Sequence, residues 1–299
     1  MSINFLRFRK IYFLFSAILI IGSLVCLFLF NLKPGIDFSG GSILEVEYAT
    51  TRPSNQTIRD LLRDFNLGEY SVQPTGDKGI ILRMKDISEE IHQEIIQKLS
   101  ENQTLSQLRF ETIGPVIGQE LKDKTKVVIV ISLFSILVYI AFAFRRISFP
   151  AKSWQYGTAS LVILSHDVLI PLGIFAFLGK YSEVQITIPI IAALLTIVGY
   201  AINNVVVVYD RVRENLSKIR LRAEEFEAVI NLSINQTVTR QINTTLTTLF
   251  PLIAIFFFGG ETLKYFALAL ILGLLAGLYS SIFLATPLIV SWLKMTKKI

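Results

Sequence analysis

The sequence is poor in charged residues and nearly free of cysteine. Of its 299 residues, 17% are charged and 52% are hydrophobic, whereas a soluble globular domain carries about 25% charged residues. This deficit is typical of a membrane protein. The single cysteine, Cys26, lies in an apolar run. A disulfide framework is therefore excluded, and the side chain is interpreted as a small buried hydrophobe.

The sequence also lacks the motifs of nucleotide and metal enzymes. No G-x-x-x-x-G-K-[ST] pattern occurs, so we do not expect ATP use, and we expect no metal, no cofactor and no catalytic activity. The net charge of +6 does not indicate a nucleic-acid partner, because the lysines and arginines form short clusters beside apolar runs. Such clusters are typical of membrane topology signals.

Six apolar runs approach or exceed the length of about 20 residues that a helix needs to cross a bilayer. They are Ile11–Phe30, Val127–Phe144, Thr158–Leu178, Ile186–Val208, Thr237–Phe258 and Phe266–Leu293. Pro287 is expected to end or kink the last run. The sequence therefore predicts an α-helical membrane protein with six transmembrane helices.

The charges between these runs predict the orientation. Basic clusters lie before the first run, after the second, after the fourth and after the last, so the positive-inside rule places both termini in the cytoplasm. The predicted regions are residues 1–30, the N-terminus and first helix; 31–126, an extracytoplasmic domain; and 127–299, a five-helix bundle with a cytoplasmic loop at about 209–236. Apolar residues spaced helically from Leu216 to Ile230 favour an interfacial helix in that loop.

The extracytoplasmic segment is rich in charged residues, and apolar and polar residues alternate along parts of it. Strands are predicted at Ser42–Tyr48, Tyr70–Pro74, Gly79–Lys85 and Leu108–Ile113, with helices from Ser54 to Phe65 and from Ser88 to about Leu99. The order βαββαβ is that of the ferredoxin-like α+β fold. His92 is predicted to lie on the solvated face of the second helix.

Polar residues inside the predicted spans are candidates for function, because burying an ionisable group in a bilayer costs about 2.5–3.5 kcal/mol on insertion scales. His166 and Asp167 lie near the centre of the third span. Two readings remain open: a buried polar pair that holds helices together, and a proton-handling or gating element. Asn203 and Asn204 lie in the fourth span, and at least one must face the bundle.

Charged residues also lie near the cytoplasmic ends of two spans. Asp210 follows the fourth span, where a solvated helix end is an alternative to a functional role, and Arg240 lies just inside the fifth, where a snorkelling arginine is the alternative. Because the two helices are antiparallel, Asn204 and Arg240 could share a depth. In the last span, a small-residue stripe predicts close helix packing; it contains Gly273, Gly277 and Ser281.

Several short motifs, in order and over nearly the whole chain, resemble those of the SecF family of protein-export membrane proteins. They include His166-Asp167 and the glycines and serines of the last span. The other motif positions are Gly35, Asp37, Phe38, Gly40, Gly41, Gly114, Pro115, Gly118, Gly199, Arg211, Arg213, Glu214 and Asn215.

The resemblance implies half of an RND-type transporter fold and a set of partners. SecF-like proteins pair with SecD, with YajC as an associated small protein, and use the proton gradient to assist export of unfolded polypeptides through the SecYEG channel. The implied location is a bacterial-type plasma (inner) membrane, with a thylakoid membrane as an open alternative. The implied proton-coupling residues are His166, Asp167, Asn203, Asn204, Asp210 and Arg240.

One position departs from the family pattern. Asn204 stands where the family usually has aspartate, and an amide cannot carry a titrating proton. Arg240 would then need a carboxylate from SecD or from Asp167. Two other functions stay open at this point: a proton-driven RND-type pump for a small solute or lipid, and a scaffold of the export complex that moves no protons.

Overall fold

The structure, a computed structural model, describes residues 3–101, 103–145, 151–218 and 226–296. The chain forms two compact units. A helical unit contains the described parts of residues 1–31, 129–177 and 189–299, and an α+β unit contains residues 32–128 and 178–188. The α+β unit therefore includes the link between two long helices in addition to the segment after the first helix.

The described elements follow one another with short connections. In chain order they are a 3₁₀ turn at Phe5–Phe8, α1 (Arg9–Phe30), α2 (Ile36–Ser39), β1 (Gly41–Tyr48), α3 (Asn55–Leu61), β2 (Ser71–Thr75), β3 (Gly79–Met84), α4 (Glu89–Ser100), β4 (Leu105–Ile113), α5 (Pro115–Phe144), α6 (Ser153–Tyr181), α7 (Ile188–Lys218), α8 (Phe226–Phe258), α9 (Glu261–Phe283) and α10 (Ala285–Met295).

The four strands of the α+β unit form one antiparallel sheet in the order β2-β3-β1-β4. This is the strand order of the ferredoxin-like fold, so the predicted fold class is confirmed. Alternate residues of β1, among them Leu44 and Val46, point to a core shared with Ile58 of α3 and Ile95 of α4. The helices thus cover one face of the sheet. Ser54 caps α3, accepting a hydrogen bond from the Thr57 amide at 3.1 Å.

The prediction for His92 was wrong. Its side chain is only 3% exposed and stacks on the ring of Phe110 in β4, with centroids 3.7 Å apart. Its Nδ1 lies 3.0 Å from a carboxylate oxygen of Glu89. The neighbouring charges suggested a solvated face, but the aromatic ring on the sheet provides a flat apolar surface that this imidazole covers.

Six helical segments among the described residues are long and apolar enough to cross a membrane, as predicted. They are Phe5–Phe30, Pro115–Ala143, Ser153–Tyr181, Ile188–Ser217, Phe226–Phe258 and Glu261–Met295. Few residues of the first two segments are buried, whereas at least half of the apolar window is buried in the third, fourth and sixth. The core of the helical unit is therefore built mainly by α6, α7, α9 and α10.

The prediction that Pro287 ends or kinks the last span is confirmed. The last span breaks at Leu284, three residues before Pro287, and Pro287 lies in the first turn of α10. Because proline has no N–H, the carbonyl four residues earlier loses its helical partner, which explains a break upstream. The interfacial helix predicted between Leu216 and Ile230 stays a prediction, because the middle of this segment lies outside the described residues; Leu216 belongs to α7 and Ile230 to α8. Residues 219–225 lie outside the described residues.

Candidate functional site

A buried acid occupies the interior of the helical unit. His166 and Asp167 of α6 are 1% and 0% exposed, and Nδ1 of His166 lies 2.8 Å from Oδ1 of Asp167. The hydroxyl of Ser280 in α9 donates to Oδ2 of Asp167 at 2.7 Å. Each carboxylate oxygen thus has a hydrogen-bonding partner, which lowers the cost of keeping an ionisable group inside the bundle.

Polar contacts continue from this acid towards α8. Ser281, the neighbour of Ser280, donates to Oε1 of Gln241 at 2.6 Å. We call these two hydrogen-bonded sets, which adjoin at neighbouring serines of α9, the interior polar seam; its members are His166, Asp167, Ser280, Ser281 and Gln241. Sequence reasoning missed Ser280 and Gln241. An amide inside an apolar span was a signal for Gln241, but nothing in the sequence indicated which of the two serines would face Asp167.

Three buried side-chain nitrogen atoms of the helical unit have no hydrogen-bond partner among the described residues. They are Nε2 of His166, Nε2 of Gln241 and Nδ2 of Asn204. An unpaired buried polar group costs about 1–3 kcal/mol, so such groups are rare unless they serve a purpose. One of them belongs to His166, whose other ring nitrogen contacts Asp167.

The two adjacent asparagines of α7 have different environments. Asn204 is buried, 3% exposed, whereas Asn203 is exposed and lines a cleft of about 270 Å³ with Gly199 and with Tyr139 of α5. Helical geometry requires this difference, because neighbouring residues point about 100° apart around a helix axis. Asn204 is thus the one that faces the bundle.

Arg240 lines the same cleft as two carboxylates of its own chain. It is exposed, and it lines a cleft of about 250 Å³ together with Asp210 and Glu214 of α7. Both carboxylates already have partners: Arg213 lies 2.5 Å from Asp210, and Arg211 lies 2.5 Å from Glu214. Asp167, which sequence reasoning offered as an acid for Arg240, instead bonds to His166 and Ser280.

The motif after Asp210 also joins α7 to α8. The side-chain amide of Asn215 donates to the hydroxyl of Ser233 and to the side-chain oxygen Oε1 of Gln236, both at 2.8 Å. Nε of Arg211 donates to the same Gln236 oxygen at 2.6 Å. These contacts fix the relative register of the two helices beside the cleft that Arg240 lines.

The small residues of α9 allow close approach of α7. A Cβ atom on Gly273 would overlap the side chain of Ile197, so no larger residue fits without displacement. A Cβ atom on Gly277 would lie 3.5 Å from Cβ of Ala201 and 3.6 Å from Oδ2 of Asp167, which are ordinary contacts. The first glycine is thus required by packing, and the second brings the helix backbone close to the buried acid.

The paired glycines before β1 occupy a crowded part of the α+β unit. Gly40 and Gly41 have φ angles of +71° and +133°, which side-chain-bearing residues rarely adopt. A Cβ atom on Gly41 would lie 2.6 Å from the carbonyl oxygen of Met84, and one on Gly40 would lie 2.9 Å from Cα of Pro115. A Cβ atom on Gly118 would in turn lie 2.7 Å from the Gly40 amide nitrogen. The start of β1 therefore passes tightly between the end of β3 and the first turn of α5.

The residues just before these glycines bond to the loop between α6 and α7. Oδ2 of Asp37 accepts a hydrogen bond from the Ile188 amide at 2.8 Å, and the Gly35 amide donates to the Ile186 carbonyl at 2.8 Å. Phe38 is half-buried in α2, and Gly114 directly precedes α5. All these residues belong to the α+β unit.

Two family profiles match the sequence. The profile "Protein export membrane protein SecD/SecF, C-terminal" matches residues 93–295, and the profile "SecD/SecF GG Motif" matches residues 27–51. The second match contains the glycine pair before β1. Together the two matches include parts of both the α+β unit and the helical unit.

Curated relatives are similar over nearly the whole chain. The protein translocase subunit SecF of Thermobaculum terrenum is 36% identical over 304 residues, covering 97% of this chain and 94% of the relative. The SecF subunit of Vibrio alginolyticus is 36% identical over 295 residues, covering 96% and 89%. Both comparisons run through every spanning helix.

Solved structures of SecDF have the same fold. The crystal structure of SecDF from Thermus thermophilus, described as a translocon-associated membrane protein, has a TM-score of 0.84 at 32% identity and covers 98% of this chain. A SecDF structure in a super-membrane-facing form has a TM-score of 0.69 at 33% identity. This chain spans 39% of the length of each of those SecDF chains. Since the curated SecF subunits match at full length, the chain belongs to the SecF family of protein translocase subunits.

Proposed function

We propose that this protein is the SecF-type subunit of a SecD–SecF complex that uses the proton gradient to assist protein translocation through the SecYEG channel. Its relatives are named as protein translocase subunits, which is a transport role and not an enzymatic one. The proposal places it in a bacterial-type plasma membrane with both termini in the cytoplasm. The α+β unit then lies on the outer side, where it can contact an emerging unfolded polypeptide.

One observation carries the proton-coupled part of this proposal. Asp167 is fully buried inside a helix that can span a membrane, and it is bonded to the imidazole of His166. A carboxyl group and an imidazole in contact can pass a proton between them, and intramembrane pairs of this kind mark proton relays. The buried nitrogen atoms of His166 and Gln241 that have no partner among the described residues belong to the interior polar seam, and they support a path for protons through it.

A polar row on α8 supports SecD as the partner. Arg240, Asn243, Thr244 and Thr247 are all exposed, although they lie in a segment long and apolar enough to span a membrane. Their spacing of three and four residues puts them on one helix face. The two threonine hydroxyls bond to backbone carbonyls of α8 itself, but the side chains of Arg240 and Asn243 would be costly against hydrocarbon, so we expect a second membrane protein to cover this face. SecD fits, since the matching SecDF chains contain further sequence beyond the part that this chain matches.

Asn204 favours a second candidate function, a scaffold that positions SecD but moves no protons. The residue is buried in the bundle, and its amide cannot take up or release a proton near neutral pH. If the family's proton passes through this position, it cannot do so here. The two functions differ in whether export assisted by this protein depends on the proton gradient.

The Asp167→Asn variant separates them. The amide has the size of the carboxylate and can still accept the Ser280 hydrogen bond, but it does not titrate. Export of a precursor into inverted membrane vesicles is measured with and without an uncoupler, together with copurification of SecD. Asp123→Asn, which changes an exposed carboxylate of α5, is the matched control. The proton-coupled function predicts that only Asp167→Asn loses the uncoupler-sensitive part of export while SecD remains bound. Unchanged uncoupler sensitivity would favour the scaffold.

A further inference from the structure

The first amide of α7 donates a hydrogen bond to a distant part of the sequence. The amide groups of a helix's first turn have no partner inside the helix. In α7 the first amide is that of Ile188, and the next residue, Pro189, has no N–H. An N-cap side chain at Thr187 would reach the second or third amide, not the first. The Ile188 amide is instead satisfied by Asp37, 151 positions away, at 2.8 Å.

Further contacts hold the same two segments side by side. The Ile186 amide donates to the Lys33 carbonyl at 2.7 Å, and the Gly35 amide donates to the Ile186 carbonyl at 2.8 Å. These two bonds form a parallel bridge centred on Pro34 and Ile186. We call residues 33–37 with 186–188 the clamp. An ion pair between Lys33 and Glu183 at 2.6 Å adds to it, but exposed pairs contribute little.

The clamp is joined to the sheet by a short, internally bonded segment. Asp37 lies in the single turn of α2, where the Gly40 amide donates to the Ile36 carbonyl at 2.9 Å and the Ser39 hydroxyl donates to the Gly35 carbonyl at 3.0 Å. Strand β1 begins at Gly41, directly after this turn. The segment between Asp37 and the sheet is therefore short, and its own hydrogen bonds restrict its conformation.

We propose that Asp37 is a positioning residue that couples β1 to helix α7, so that a displacement of either is transmitted to the other. The clamp lies within the α+β unit, and α7 continues from Pro189 into the helical unit, where the same rigid helix carries Asn204 and Asp210. A carboxylate is well suited to this task, because its negative charge also complements the positive end of the helix dipole. This inference rests on the proposed function, since it names a route by which events in the membrane move the sheet.

Variants of Asp37 test the coupling in the full-length protein with SecD in its membrane. Asp37→Asn keeps the size and one acceptor oxygen, and Asp37→Leu keeps the approximate size without an acceptor. Asp86→Leu is the matched control, because Asp86 accepts a hydrogen bond from Thr112 at 2.6 Å within the same unit and does not touch α7. Export with and without an uncoupler, SecD copurification, and hydrogen exchange of residues 186–191 are measured for each.

We expect Asp37→Leu to keep SecD bound, to speed amide exchange at Ile188 and to lose the uncoupler-sensitive part of export. Asp37→Asn and Asp86→Leu should keep the uncoupler-sensitive part of export. Equal losses in Asp37→Leu and Asp86→Leu would overturn the proposal, because the effect would then belong to the unit as a whole. If Asp37→Leu does not accumulate, Asp37→Ser replaces it, since the shorter hydroxyl falls short of the Ile188 amide; full export by Asp37→Ser would likewise overturn the coupling.

A second-site change distinguishes coupling from helix stability. Thr187→Asp gives α7 its own cap at the Ile190 amide without a link to the 33–37 segment. In the Asp37→Leu background, we expect Thr187→Asp to slow amide exchange in the first turn again but not to restore export. Restored export would show that Asp37 only stabilises the helix start, and the coupling would be refuted. Failure of the proposed function would be seen in a different variant. If that function is wrong, Asp167→Asn exports like the wild type, whichever residue stands at position 37.

Discussion

Gly273 and Gly277 provide a matched pair of substitutions on one helix. Alanine at Gly273 would force its methyl group into Ile197, and overpacking of this kind costs about 1–3 kcal/mol. Alanine at Gly277 meets Ala201 at an ordinary 3.5 Å and gains up to about 1 kcal/mol of helix propensity over glycine. We therefore expect Gly273→Ala to be less stable than Gly277→Ala by about 2 kcal/mol, which is roughly a 30-fold difference in the unfolding equilibrium.

Unfolding of the purified protein by SDS in mixed micelles measures this difference. The only two tryptophans, Trp154 and Trp292, lie in edge-to-face contact with ring centroids 5.1 Å apart, so their fluorescence reports on the packing of the helical unit. A double variant sharpens the test: Ile197→Ala alone should cost stability by leaving a cavity, but it should make room for alanine at Gly273. Equal midpoints for Gly273→Ala and Gly277→Ala, or purely additive effects in the double variant, would refute the packing argument.

Three further predictions concern topology and the polar residues. A cysteine at Thr75 should react with an impermeant reagent from outside, and one at Ser217 only after permeabilisation; reversed labelling would contradict the orientation. Asn204→Leu should leave stability unchanged or higher, because it removes an unpaired buried donor, yet lower export, whereas Asn204→Asp should be tolerated; normal export by Asn204→Leu would mean that the position is idle. Arg240→Lys and Arg240→Met should both keep SecD bound and reduce gradient-dependent export, since neither reproduces the planar guanidinium; a wild-type Arg240→Lys would identify a membrane anchor.

The spans and the fold of the α+β unit were predictable because each follows from a local rule. An apolar run of about 20 residues has few alternatives to a membrane helix. Apolar and polar residues that alternate between turn residues predicted the strands of the sheet. The bounds were less exact: α5 begins at Pro115, twelve residues before the predicted span. Apolar composition detects the part of a helix that crosses the bilayer, but it does not detect its polar extension.

The environment of individual polar side chains could not be predicted in the same way. Which of Ser280 and Ser281 faces Asp167 depends on the rotation of α9 about its axis, and that rotation is set by contacts such as Gly273 against Ile197. His92 was misplaced for a similar reason, because its burial depends on Phe110 in a strand that is distant in sequence. Arg240 shares a cleft with Asp210 and Glu214, a neighbourhood that the sequence did not indicate because it depends on how α8 packs against α7.

The uneven burial of the six spans has a consequence for biogenesis. α1 and α5 are the most apolar spans and bury the least surface within the described chain, so each can enter a bilayer as an independent unit without waiting for neighbours. α8 is the least apolar of the six and carries Arg240. Two of its polar side chains gain partners only once α7 and α9 are present: Gln236 accepts from Asn215 of α7, and Gln241 accepts from Ser281 of α9. During synthesis, α8 is therefore the span whose stable integration has to wait for a helix that is made after it.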